Sequence, residues 1–295
     1  MIKSLIIGGS GLIGGALLDY IKSMSESVYG TYTHSKEPGL IFLDLFSRDY
    51  SALQDLHKGD IVYLLSAYSN PNWIAQNRDQ AEELNLTCTK SLIDFLITKE
   101  VKIIFMSSVE VFDGIKGNYA EEDETHPLNY YGVMKLKIED YLESNYDNYT
   151  IARTGWNVGF NEKSRCVVQL TYETLLSKNA KMATDNYFSL CHTEDTAKAL
   201  YFSSKQNNMK KIHIASSEVI NRFDMAGLIK KHSAKGNLMS FEGCYFNEIP
   251  YSEPRGRVND LNNSLSRIQL NINYHNAEEL ILKKIKYLDQ KKNEG

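Results

Sequence analysis

Short apolar runs alternate with amphipathic stretches through the first half of the chain. Ser4–Ile7, Val28–Tyr32, Ile41–Leu43, Ile61–Leu65, Ile103–Met106 and Tyr149–Ala152 are too short for helices and have few polar interruptions, which predicts buried strands. Between them Leu12–Met24, Tyr50–His57, Ala75–Thr98 and Tyr130–Ser144 carry apolar residues at i, i+3 and i+4, which predicts helices. Parallel neighbours need a crossover connection, so the repeated strand–helix order predicts a doubly wound parallel sheet with helices on both faces, the α/β class. Beyond Gly155 the pattern loosens into helices over Val167–Ser177, Thr193–Ser204, Phe223–His232 and Ala277–Leu288 with a few short strands. The expected organisation is therefore residues 1–155 as the sheet domain and residues 156–295 as a smaller mixed α/β region interwoven with it.

Charge and cysteine content narrow the function classes. The 295 residues carry 33 Lys and Arg against 37 Asp and Glu, a formal charge of −4, so no broad electropositive footprint for nucleic acid or an anionic membrane is expected. Cys88, Cys166, Cys191 and Cys244 are dispersed without a CxxC pair, which reads as reduced thiols and no metal site. The apolar N-terminus is broken at Gly8-Gly9 and no 18-residue apolar run follows, so the expectation is neither a signal peptide nor a membrane span, and a cytoplasmic protein.

Leu5-Ile6-Ile7 runs directly into Gly8-Gly9-Ser10-Gly11-Leu12-Ile13-Gly14, a GxxGxxG spacing at the first strand–helix junction. Gly8 permits the tight turn, Gly11 lets a pyrophosphate approach the backbone and Gly14 lets helix pack on strand, while the helix N-terminus offers unpaired N–H groups to an anion. This placement points to a nicotinamide dinucleotide in a Rossmann-type domain. The second strand ends without the acid that would hold ribose hydroxyls, in Tyr32-Thr33-His34-Ser35-Lys36. His34, Ser35 and Lys36 are able to donate to a 2′-phosphate, which favours NADP(H) over NAD(H), the alternative being an ordinary polar loop. Asp44, followed by Leu45, is placed to accept from the adenine or to cap the next turn.

Reducing a ketone requires a proton donor for the forming alkoxide, and a Tyr serves if a Lys one helical turn on lowers its pKa. YxxxK occurs four times, at Tyr32/Lys36, Tyr131/Lys135, Tyr201/Lys205 and Tyr287/Lys291, so position must choose. Only Tyr131/Lys135 heads a helix that follows a buried strand ending in Ser107-Ser108, at the carboxyl edge where α/β sites form. Ser108 there is placed to bind the carbonyl oxygen that Tyr131 protonates.

GGSGLIG, Asn85 in the long helix, FMSSVEVFDG from Phe105, NYYGVMK from Asn129 and ARTGW from Ala152 stand in the order and spacing of the extended short-chain dehydrogenase/reductases, and the chain most resembles their dTDP-4-dehydrorhamnose reductase group, from Met1 to about His275. The resemblance implies Ser108, Tyr131 and Lys135 as the catalytic set, with Lys135 also contacting the nicotinamide ribose. It implies that Ser66-Ala67-Tyr68 forms the turn over the cofactor, supported by Asn85, and that Trp156 lies against the substrate's sugar; tying loop to sheet is the alternative for Asn85, and a core position for Trp156. Glu110 and Val111 are expected in the pocket wall and Arg257 on a diphosphate, with Arg255 a weaker candidate and solvated charge the alternative for both.

Departures concern the substrate. The group usually has Asp-Tyr where this chain has Val109-Glu110, and Asp185-Asn186-Tyr187-Phe188-Ser189-Leu190-Cys191 replaces a Gly/Pro/Thr-bearing stretch, which makes the pocket bulkier. Cys191-His192 reads as filler, because neighbours in a strand point apart. The resulting expectation is an NADPH-dependent reductase of a nucleotide-linked 4-keto-6-deoxy sugar, with a homodimer left open. The alternatives are an epimerase or dehydratase of the same superfamily, and a cofactor-binding regulatory subunit similar to the beta subunit of methionine adenosyltransferase.

Overall fold

The computed structural model describes residues 3–160, 166–177 and 180–291. In the first half β1 (Ser4–Ile7), β2 (Val28–Tyr32), β3 (Leu40–Phe42), β4 (Ile61–Leu64), β5 (Lys102–Ser108) and β6 (Tyr149–Thr154) alternate with α1 (Leu12–Ser23), α2 (Pro71–Gln76), α3 (Arg78–Glu82), α4 (Thr89–Thr98) and α5 (Tyr130–Asn145). The second half adds β7 (Trp156–Val158), β8 (Ala180–Ala183), β9 (Tyr187–His192), β10 (Lys211–Ile214), β11 (Val219–Asn221), β12 (Phe241–Cys244) and β13 (Val258–Asn259), with α6 (Val167–Leu175), α7 (Thr193–Ser204), α8 (Arg222–His232), α9 (Ser264–Gln269) and α10 (Ala277–Lys291).

Seven strands form one parallel sheet in the order β10-β6-β5-β4-β1-β2-β3. Chain direction reverses its lateral progress between β1 and β4, the crevice where ligands of open α/β sheets bind. Every residue of β1, β4, β5 and β6 is buried, because helices cover both faces. One face packs Leu5, Ile7, Val62, Ile103 and Ile151 on α4 and α5, and the other packs Ile6, Tyr63, Ile104 and Ala152 on α1 and α7. The second half returns twice to the first, through β10 and through α7, while β7, β9, β11 and β13 make a small sheet of their own.

Two expected helices take other forms. The predicted helix Tyr50–His57 is a pair of tight turns around Ser51–Leu53. Tyr50, Leu53 and Leu56 are buried at a spacing of three, the repeat of a 3₁₀ turn, which also fits an α-helical reading. The predicted Ala75–Thr98 helix is divided: Asn70 caps α2 by accepting from Asn72 N (3.0 Å), Asn77 breaks out of helical geometry, and Glu83–Cys88 winds as a π-helix before α4. That wide turn contains Asn85, and π-helical stretches of this kind recur at functional sites.

Strand β5 is longer than its apolar core predicts and ends on Ser108. Asn129 caps α5 by accepting from Gly132 N (2.9 Å), so the helix starts beside that strand end. The join is tight, since a Cβ on Gly132 would sit 2.0 Å from the Glu110 carbonyl oxygen. Among the described residues no helix is long and apolar enough to cross a membrane, and no group of three or more His, Cys, Asp or Glu is placed to hold a metal ion.

Candidate active site

The glycine loop wraps the carboxyl end of β1. Gly8 takes a positive φ of 92° and its N–H donates to Thr31 Oγ1 (3.0 Å), while Ser10 N donates to Thr31 O (3.2 Å), tying the loop to β2. A Cβ on Gly14 would lie 2.1 Å from Gly8 O. The first turn of α1 therefore presses directly on the loop, and its N–H groups face a cavity of about 660 Å³ lined by Ser10, Gly11, Leu12, Glu37, His192 and Thr193, among others. These residues fit the phosphates of a dinucleotide. Gly14→Ala should raise the dissociation constant for a reduced nicotinamide dinucleotide at least about tenfold, measured by fluorescence titration. Affinity unchanged from the parent would contradict the cradle.

Ser66, Ala67 and Tyr68 follow β4, and Gly8 lies against Ser66 so closely that a Cβ would meet Ser66 N at 3.1 Å. Asn85 holds this loop with both ends of its amide: Oδ1 accepts from Tyr68 N (2.9 Å) and Nδ2 donates to Tyr68 O (2.8 Å). Both roles expected for Asn85, support of a cofactor-side turn and a tie from loop to sheet, use these same two bonds. His34, Ser35 and Lys36 are exposed beyond β2, and Glu37 lines the same cavity as Ser10 and Leu12. Glu37 was not singled out in the sequence because it falls past the usual position for a ribose-binding acid. Of the two roles open to Asp44, the side chain performs the cap, accepting from Phe46 N (3.0 Å), with Leu45 buried behind it.

Ser108, Tyr131 and Lys135 converge at the carboxyl edge of β5. Ser108 Oγ accepts from Glu110 N (3.2 Å), and its hydroxyl is near enough to Tyr131 to pull the phenol's pKa down. Burial and the nearby Glu110 charge nevertheless hold the Tyr131 phenol above its ordinary pKa. Lys135 Nζ donates to Met106 O (2.7 Å) and stands 5.7 Å from the Tyr131 ring centre and 4.7 Å from that of Phe105. The sequence-based expectation of a Tyr131 pKa lowered by Lys135 is not met in the net value: burial is the largest influence and acts upward. Burial brings Lys135 itself down to about 8, against a smaller upward pull from Glu139.

A half-buried acid and its buried amide partner close one wall. Glu110 is pushed above the usual carboxylate range by burial, opposed by Asn129 Nδ2, which donates to its Oε2 (2.6 Å), and by the positive charge of Arg255. Val111, expected in the pocket wall, is instead fully buried with Val109, Phe112, Tyr119, Ala215 and Leu261. It follows Glu110 in a tight turn whose second residue faces the site while the third turns inward. The Trp156 ring lies 6.0 Å from that of Phe188, with the Arg222 guanidinium 5.7 Å from both. Arg257 is more than half exposed and faces Asp185 at 3.8 Å, so its head group points outward, whereas Arg255 is half-buried, with its guanidinium carbon 4.9 Å from the Tyr251 ring centre and its Nη2 donating to Asn72 Oδ1 (2.8 Å).

His192 and Cys191 have structural contacts. His192 Nδ1 accepts from Glu194 N (3.0 Å), capping α7, and the ring stacks on Phe160 and His275. Cys191 lies 3.1 Å from Thr196 Oγ1 and is pushed up to about 12 by burial, which removes thiolate chemistry at neutral pH. Below the catalytic edge a buried pair, Arg153 and Glu139, joins β6 to α5: Arg153 Nη2 donates to Glu139 Oε2 (2.6 Å), and Ser107 donates to Glu139 Oε1. His213 donates from Nδ1 to Tyr119 O (2.9 Å) and is held neutral, near pKa 3, by burial and by Arg153. These network residues were not singled out in the sequence, because their partners are far apart along the chain.

Comparison with known proteins places this geometry. The family model described as RmlD substrate binding domain matches residues 2–287. The methionine adenosyltransferase 2 subunit beta of Xenopus laevis is 27% identical over 188 residues, 62% of this chain and 56% of that protein. This chain thus spans little more than half the length of that curated relative. A hypothetical dTDP-4-dehydrorhamnose reductase from Sulfolobus tokodaii superposes with a TM-score of 0.79 at 26% identity, covering 95% of this chain and 99% of that one. The dTDP-4-dehydrorhamnose reductase of Bacillus anthracis, solved in complex with NADP, shares the fold with a TM-score of 0.80 at 17% identity over 97% of this chain and 99% of that one.

Proposed function

The chain belongs to the RmlD substrate-binding-domain family of the extended short-chain dehydrogenase/reductases, and from that premise we propose that it reduces the keto group of a nucleotide-linked 4-keto-6-deoxy sugar with NADPH. The observation that carries this reading is the meeting of Ser108, Tyr131 and Lys135 at the carboxyl edge of β5, beside a glycine loop shaped for a dinucleotide. A bound reduced nicotinamide would supply the hydride. As negative charge develops on the keto oxygen, Tyr131 gives up its proton to it and the Ser108 hydroxyl donates a hydrogen bond to it. Burial, which keeps the phenol protonated before the reaction, also makes the tyrosinate costly; in this reading the ammonium of Lys135, 5.7 Å from the ring centre, offsets part of that cost without bringing the phenol below its ordinary value.

NADP(H) is favoured by His34, Ser35 and Lys36 beyond β2, with Glu37 the opposing charge. Loss of reduced-cofactor absorbance on adding dTDP- and UDP-linked 4-keto-6-deoxy sugars tests the reading. Consumption with NADPH exceeding that with NADH is expected. The likeness to methionine adenosyltransferase 2 subunit beta supports a second reading, a cofactor-binding subunit of a larger assembly. Tight cofactor binding without consumption on any sugar, together with a stoichiometric partner on purification, would favour that second reading and count against the reductase.

The Lys135 pKa sets a pH dependence. The ammonium assists only while charged, so turnover at saturating substrate should fall as pH rises through about 8, tested by a pH–rate profile. A rate flat to pH 10 would contradict this role. For stability the sign is opposite: the folded-state value lies below the ordinary 10.5, so between about 8 and 10.5 the unfolded chain binds the extra proton, and this group's contribution to stability rises with pH.

A further inference from the structure

The helix that carries Tyr131 and Lys135 begins against a short segment of the second half. Residues 253–258, which lead into β13, cross the head of α5 and fasten to the first half on both sides of it. On one side Glu253 Oε2 accepts from Tyr130 N (2.9 Å), Glu253 Oε1 accepts from Arg78 Nη2 (2.8 Å) and Pro254 O accepts from Asn129 Nδ2 (3.5 Å). On the other, Val258 N donates to Gly114 O (2.8 Å), and a Cβ on Gly256 would sit 2.8 Å from Gly114 Cα. Glu253 is buried, and hydride-transfer chemistry assigns it no role.

Tyr130, Tyr131 and Gly132 open α5, where backbone N–H groups have no acceptor within the helix. Asn129 Oδ1 takes the N–H of Gly132, and Glu253 takes that of Tyr130 from 123 residues away in the chain. The residues on either side of Tyr131 are therefore each held by a side chain, one local and one supplied by the second half. A carboxylate at this end of a helix is also favoured by the helix dipole. Tyr130 is fastened at its other end too: its hydroxyl donates to Glu82 Oε2 (2.5 Å) in α3, and the Arg78 guanidinium carbon lies 5.0 Å from its ring centre. Arg78 is more than half exposed, so water screens its ion pair with Glu253. The bond from Tyr130 N is thus the contact that the burial of Glu253 serves.

We infer that Glu253 is a positioning residue: by accepting from Tyr130 N it holds the first turn of α5, and with it the phenol of Tyr131, in place against the end of β5. Proton transfer is sensitive to such placement, a displacement of about 1 Å costing on the order of a hundredfold in rate. The catalytic consequence rests on the reductase reading, whereas the hold on the helix does not.

Amide hydrogen exchange and steady-state kinetics on the full chain test the two parts separately, with NADPH binding as the measure of an intact fold. Glu253→Ala should speed exchange at residues 130–132 about tenfold or more while β5 stays protected. It should lower kcat about tenfold to a hundredfold, with KM for the sugar and the dissociation constant for NADPH within about threefold of the parent. Glu253→Gln, whose amide oxygen still accepts from Tyr130 N, should restore most of both. Glu253→Asp, which keeps the charge but is one methylene short, should lose more than Glu253→Gln. Arg78→Ala removes only the screened ion pair and should leave kcat within about threefold. Parental exchange at the head of α5 in Glu253→Ala overturns the assignment, as does faster exchange with parental kcat, or a Gln variant that loses more than the Asp variant. If the parent reduces none of the sugars, the reductase reading falls, and the exchange rates alone uphold or overturn the hold of Glu253 on the helix.

Discussion

Tyr131→Phe should lower the rate of NADPH-dependent ketone reduction by about 10²–10⁴, the range supplied by a positioned general acid, while the dissociation constant for NADPH stays within about twofold. The substitution removes one oxygen from a ring that already packs against the apolar cluster of β4, α4 and α5, so the fold loses little. Ser108 remains to hydrogen-bond the carbonyl oxygen, which is why a residual rate above background is expected. Because the missing proton is needed only as the alkoxide forms, kcat should fall far more than KM rises. Single-turnover absorbance decay with the best nucleotide sugar makes the measurement, and a variant that retains half the parental rate would remove Tyr131 from the chemistry.

The second large effect is on the foundation of the site. Glu139→Ala leaves the guanidinium of Arg153 buried without its carboxylate and takes the partner from Ser107, with no solvent to replace either. Removing one member of a buried ion pair of this kind costs about 3–5 kcal/mol, and urea unfolding should show a loss of that size. Replacing both partners by apolar residues, Glu139→Leu with Arg153→Met, should cost clearly less than Glu139→Ala alone, since no orphaned charge remains. Equal losses for the single and double variants would mean that packing, not charge compensation, is what the pair contributes. Activity should fall with stability in Glu139→Ala, because Lys135 lies one helical turn before Glu139 and is positioned by the same helix.

The central parts of this site are written locally. Gly8, Gly11 and Gly14 sit at a strand–helix junction that periodicity alone locates, and Ser108, Tyr131 and Lys135 fall on a strand end and the next helix, so their convergence follows once the sheet is parallel. Asn85 was legible only through resemblance, and the π-helical turn that aims it at Tyr68 has no pattern distinct from an α-helix of the same apolar spacing. Val111 was misplaced because one residue of a tight turn decides whether a side chain faces pocket or core. Tyr50–His57 was read with the wrong period for the same reason, a spacing of three serving both helix types. Arg222 was not singled out in the sequence, because the rings of Trp156 and Phe188 that it lies over are far from it along the chain.

Isotope transfer tests the central claim most directly. NADPH carrying deuterium at the transferable position of the nicotinamide, incubated with the protein and the nucleotide-linked 4-keto-6-deoxy sugar that it consumes fastest, should give a product one mass unit heavier than with unlabelled cofactor. The label should sit on the carbon that was the ketone, with one NADPH oxidised per sugar reduced. Sugar recovered unreduced with all label still in the cofactor, or an isomerised sugar with no net oxidation of NADPH, would contradict the account.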